Sequence, residues 1–111
     1  MHKYGAKKTV VDGITFASKA EARRYAELKL LVRAGEISDL CMQPRYLLQK
    51  AFVDRAGRQI RAIEYVGDFE YRDHKTHCLV CEDVKGMKTA VYELKRKMFL
   101  KLYPNIEHRE I

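Results

Sequence analysis

Leu79-Val80-Cys81-Glu82-Asp83-Val84-Lys85 (79–85), closed by Gly86, decides how the rest of the chain is read. It opens apolar, then carries two adjacent acids and a lysine. In an extended strand successive side chains point to opposite faces, so Asp83 and Lys85 share one face while Glu82 and Val84 take the other. A one-residue change of register would exchange them and make Glu82 the partner of the site. Upstream, Gln59 to Tyr71 is rich in strand formers (Ile60, Ile63, Tyr65, Val66, Phe69, Tyr71), with Asp68 set among apolar neighbours. The polar run Arg72 to Thr76 reads as a hairpin loop and His77 to Lys85 as the returning strand. That hairpin brings Asp68 across to the Asp83/Lys85 pair.

Helices are expected on both sides of this hairpin. Ser18 with Glu21 three residues on has the form of a capping box, and Ala22, Tyr25, Ala26, Leu28, Leu30, Leu31 and Val32 supply apolar positions. A helix is expected from Lys19 to Ala34, ended by Gly35. Ile37 to Leu48 reads as strand, limited to an edge or a strand start by Pro44. Phe52-Val53 precedes a turn over residues 54–58. A second helix is expected from Thr89 to Tyr103, with Val91, Leu94, Met98, Phe99 and Leu102 as its core stripe. Lys88, Lys95, Arg96, Lys97 and Lys101 form its cationic flank. Pro104-Asn105 ends it, and Ile106 to Ile111 makes a last strand. Residues 1–15 read as a basic arm with a turn at Val10-Val11-Asp12-Gly13. The expected architecture is one α/β domain over residues 1–111, in the order α-β-β-β-α-β, a mixed sheet flanked by two helices.

Composition narrows the setting. In 111 residues, 22 Lys and Arg against 15 Asp and Glu give a net charge of +7, which points to a polyanionic partner. Three cysteines, odd in number, argue against a disulfide scaffold and for a reducing, cytoplasmic setting. No run approaches the roughly 18 apolar residues of a membrane span, and no secretory signal is expected at the basic N-terminus.

Two carboxylates and a lysine on one face suit a hard divalent cation, Mg²⁺ with Mn²⁺ as substitute. Such a cation activates water and stabilises charge on a phosphate, while Lys85 holds the phosphate or orients the water. His74, His77, Cys78 and Cys81 invite a zinc reading. An extended Cys78 to Cys81, however, turns its thiols to opposite faces, and a hairpin with incidental histidines is the simpler reading.

On these residues the chain resembles the PD-(D/E)xK, restriction-endonuclease-like nucleases. Val66-Gly67-Asp68 stands for the family's Pro-Asp, with Gly67 where proline is usual, and Asp83-Val84-Lys85 stands for its (D/E)xK. The whole chain also resembles a small phage and prophage family of unknown function assigned to that fold. The shared stretches are Ser18 to Tyr25, Gly35 to Leu40, Gln43-Pro44, Gly67 to Phe69 and Glu82 to Gly86. The resemblance implies a Mg²⁺-dependent DNA endonuclease acting in a bacterial host cell. Asp68, Asp83, Lys85 and Glu21 would be catalytic, with Asp68 and Asp83 metal-bound and Glu21 adding a ligand or orienting a water. Glu21 thus has two readings, cap and metal ligand, and Glu82 remains the alternative ligand. Lys7, Lys8, Lys88, Lys95 and Arg96 are the expected contacts to DNA backbone. Duplex cleavage needs two cuts, which a homodimer would supply. The other expectation is a DNA-binding or assembly module that has the nuclease fold without turnover.

Overall fold

A computed structural model describes residues 8–84 and 88–111 of the chain. Lys7, Lys85 and Gly86 lie outside the described residues. The expected basic arm is corrected at once, because part of it is a β-hairpin: β1 (Thr9–Val11) pairs antiparallel with β2 (Ile14–Phe16). Asp12 and Gly13 both have positive φ (53° and 75°), as a two-residue hairpin turn of matching twist requires. Strands of three residues are too short to show periodicity, so only their turn was visible in the sequence.

Helix α1 (Lys19–Arg33) begins at Ser18, whose hydroxyl accepts from the Glu21 N–H, and stops one residue earlier than expected. Gly35 follows at φ 77°, and its N–H closes on the Val32 carbonyl. The strands are β3 (Ile37–Met42), β4 (Arg45–Gln49), β5 (Phe52–Val53), β6 (Gln59–Ile60), β7 (Ile63–Val66), β8 (Phe69–Asp73) and β9 (Leu79–Asp83). Then come helix α2 (Ala90–Leu102) and β10 (Ile106–Glu110). The main sheet has the order β10-β9-β8-β3, antiparallel except for β10, which lies parallel to β9. A parallel neighbour cannot be reached by a tight turn, and α2 supplies the crossover.

The two expected long strands, Ile37 to Leu48 and Gln59 to Tyr71, are each divided. Even so, β3 and β4 run against β8 and β7 in one antiparallel ladder. Met42 pairs with Phe69 and Arg45 with Val66, and between them Gln43 N donates to Asp68 O and Gly67 N donates to Pro44 O. The bend in this ribbon therefore falls at Gln43-Pro44 and Gly67-Asp68, beside the expected site. Gly67 is fixed by close approach: a Cβ there would meet Cys81 Sγ at 2.6 Å and Pro44 Cγ at 3.4 Å. Proline would in addition forfeit the Gly67 N–H bond, which explains glycine at this position.

Two cores lie on the faces of the main sheet. Phe16, Ala22, Tyr25, Leu28, Ile37, Phe69, Tyr71 and Val80 pack under α1. Tyr46, Leu48, Tyr65, Cys81 and Phe99 pack under α2. Here the expected stripe of α2 is corrected. Of its five residues only Phe99 is fully buried; Val91, Leu94 and Leu102 are 61%, 60% and 51% exposed. The helix turns Tyr92, Phe99 and the following Tyr103 inward instead, onto Tyr46 and Tyr65. Aromatic rings can span the gap to a twisted ribbon that short aliphatic side chains do not reach.

Candidate active site

The site grows out of β9. Alternation along it sends Val80 and Glu82 toward α1, and Cys81 and Asp83 toward α2. Glu82 and Asp83 are both 0% exposed. A buried carboxylate needs a cation or several hydrogen bonds, and each of the two finds its own. Glu82 takes both nitrogens of one edge of the Arg24 guanidinium, Nε at 2.8 Å and Nη2 at 2.6 Å, and accepts from the Tyr71 hydroxyl. The bond to Glu82 is the main cause that raises the Arg24 pKa above its ordinary value. Burial, then the Glu82 bond, pushes the Tyr71 phenol up to about 12, so it remains a donor.

Asp83 meets His108 instead, with Nε2 at 2.9 Å from Oδ2, and Tyr65 Oη lies 2.8 Å from the same nitrogen. His108 comes from β10, where parallel register sets it beside Cys81. Burial pushes the Cys81 thiol up to about 12, and the carboxylates of Glu70, Asp68 and Glu82 add to the effect. Cys81, Asp83 and His108 hold their donor atoms within 4.8 Å of one another.

Asp68 is tied to the same strand by its backbone and its side chain. Its N–H donates to the Glu82 carbonyl at 2.9 Å, and its Oδ2 accepts from the Val84 N–H at 2.7 Å. The carboxylate therefore rests on the residue between Asp83 and Lys85. Asp68 also lines a cleft of about 160 Å³ together with Glu21, Gln43, Met42 and Phe16. Asp68 and Glu21, on different elements, thus come to one cavity, while Asp83 is directed to the opposite face of β9. Glu21 supplies the N–H bonded by Ser18, which is the backbone half of the capping box. Glu82 is committed to Arg24 and Tyr71.

The cationic residues divide unevenly. Lys88 bonds Glu110 Oε1 at 3.1 Å, and Arg96 lies 3.9 Å from both Glu110 and Glu93, so part of the expected flank is already neutralised. Lys95 is half-buried and Lys8 is exposed. A basic group absent from the sequence reading is the hairpin β5–β6, where Lys50, Arg55, Arg58 and Arg61 are exposed beside Phe52 and Val53. His74 is accounted for structurally: its ring nitrogens meet Gly35 O at 2.7 Å and Ser38 Oγ at 2.8 Å. Sequence reasoning missed Arg24, Tyr65 and His108.

No helix among the described residues is long and apolar enough to cross a membrane. The pattern of a family described as "Protein of unknown function (DUF1064)" matches residues 1–111. No curated protein and no solved structure matches the chain.

Proposed function

The chain belongs to the DUF1064 family of proteins of unknown function, and from its site we propose a divalent-metal-dependent deoxyribonuclease with a restriction-endonuclease-like core. The observation that carries the reading is the Asp68 carboxylate held on the Val84 N–H, between Asp83 and Lys85. In support, α1, β3, β8, β9, α2 and β10 follow one another in the order of that core, with the last strand parallel.

Asp68 and Glu21 line one cleft and offer the hard carboxylate oxygens that Mg²⁺ or Mn²⁺ takes. Binding by all three acids requires the Asp83 carboxylate, which faces α2 in this structure, to turn toward them. When bound, such an ion supplies an activated water and stabilises charge on the scissile phosphate. The chain's own residues do the positioning. The Val84 N–H fixes the orientation of the Asp68 carboxylate, while His108 holds that of Asp83 on the α2 face. Lys85 is assigned to the phosphate or the attacking water. Lys8, Lys88, Lys95, Arg96 and the arginines of β5–β6 are assigned to the DNA backbone. A bacterial host cytoplasm, a phage origin and a homodimer complete the proposal.

Nicking of supercoiled plasmid tests it. Asp68→Asn keeps an oxygen for the Val84 N–H but removes the charge, and is expected to nick at least about a hundredfold more slowly in Mg²⁺ while still binding DNA. Nicking at the wild-type rate would remove Asp68 from the site. The full burial of Asp83 favours a second reading, a DNA-binding module without turnover. In that case the wild type binds DNA, with affinity falling steeply as salt rises, and cuts none.

A further inference from the structure

We infer that Cys81, Asp83 and His108 form a buried binding site for one borderline-soft divalent cation of the Zn²⁺ kind, which shares Asp83 with the hard-oxygen set proposed for Mg²⁺ and so competes with it for that carboxylate. Alternation on β9 gives Cys81 and Asp83 a common face, and the parallel pairing of β10 brings His108 to that face from the next strand. One thiol, one carboxylate oxygen and one imidazole nitrogen then lie within 4.8 Å of one another. Cys81 and Asp83 are 0% exposed and the His108 side chain 3%.

The donors are those that Zn²⁺ selects, and Mg²⁺ would not choose a thiol or an imidazole. Three protein donors leave a fourth tetrahedral position for water. Charge balance favours the ion. On binding, the Cys81 S–H bond breaks, its proton leaves to solvent, and the sulfur bonds the metal as thiolate. The imidazole contributes a nitrogen lone pair, any proton on that nitrogen moving to the other ring nitrogen or to solvent. One thiolate and one carboxylate neutralise the dication, so a neutral complex is what remains out of water. The rigidity of two paired strands holds the donors near their bound positions before the ion arrives.

The inference stands without the nuclease reading, because its readout is optical and uses no DNA. Co²⁺ replaces Zn²⁺ as the probe in a titration of the full chain. One equivalent is expected to give the intense visible bands of tetrahedral Co²⁺ and a thiolate-to-metal charge-transfer band, both discharged by one equivalent of Zn²⁺. Cys81→Ser is expected to abolish the charge-transfer band, whereas Cys41→Ser and Cys78→Ser leave it. His108→Gln is expected to keep a thiolate band but weaken Co²⁺ by at least the roughly tenfold to hundredfold that outer-shell partners cost. Far-ultraviolet circular dichroism establishes that each variant is folded, and if Cys81→Ser is not, His108→Gln decides. No thiolate band in the wild type would overturn the site. So would a band that survives Cys81→Ser, or Co²⁺ affinity unchanged in His108→Gln.

Discussion

Asp83→Asn is expected to lose about a thousandfold or more in Mg²⁺-dependent DNA cleavage, ~4 kcal/mol of transition-state stabilisation. The substitution is chosen to separate charge from fold. Asn retains an oxygen that can accept from His108 Nε2, now 2.9 Å from the Asp83 carboxylate, and it has nearly the same volume in a fully buried position. What it loses is the negative charge that would hold a hard cation. Single-turnover cleavage over a range of Mg²⁺ checks this. A rate within a few-fold of wild type, in a protein with an unchanged circular dichroism spectrum, would take Asp83 out of the chemistry. Glu82 would then be the next acid to test.

Arg24→Met is expected to be the most destabilising single change on the α1 face, by roughly 3–5 kcal/mol, or a fall in Tm of roughly 10–20 °C. Glu82 is 0% exposed and takes two guanidinium nitrogens at 2.8 and 2.6 Å. Without Arg24 it keeps, among the described residues, the Tyr71 hydroxyl, and sits in a core too dry to hold a lone charge. Arg24 itself retains 20% exposure, which places the cost toward the lower end. The double variant Arg24→Met/Glu82→Met is expected to recover most of the loss, since a well-packed apolar pair replaces a buried ion pair at little cost. Urea melts of the four proteins in the cycle give the coupling. An Arg24→Met cost below about 1 kcal/mol would mean that water reaches Glu82.

Elements were legible where the signal is local. Ser18 and Thr89 both cap the helices that begin beside them, and Gly35 takes the positive φ that ends α1. Asp12-Gly13 marked a turn, but the three-residue strands on either side of it carry too little pattern to declare themselves. The α2 stripe misled for a different reason. Apolar spacing reports which residues could face a core, whereas the curvature of the ribbon decides which can reach it. Aromatic Tyr92, Phe99 and Tyr103 do reach it. Within the site, Asp68, Glu82 and Asp83 follow from one hairpin and were visible. Arg24 lies 58 residues from Glu82, and His108 25 from Asp83. Pairings at such separations depend on topology: α1 must cross one face of β9, and α2 must carry the chain over to a parallel β10. Nothing in the local sequence states either condition.

The central claim is that the carboxylates of Asp68 and Asp83 support metal-dependent phosphodiester hydrolysis. Its most direct test is cleavage of linear, branched and single-stranded DNA by the purified chain with Mg²⁺ or Mn²⁺, and again after chelation with EDTA. The expected result is cleavage of at least one substrate that requires the ion and stops with EDTA. Intact substrates under every metal condition, with DNA still bound, would contradict it.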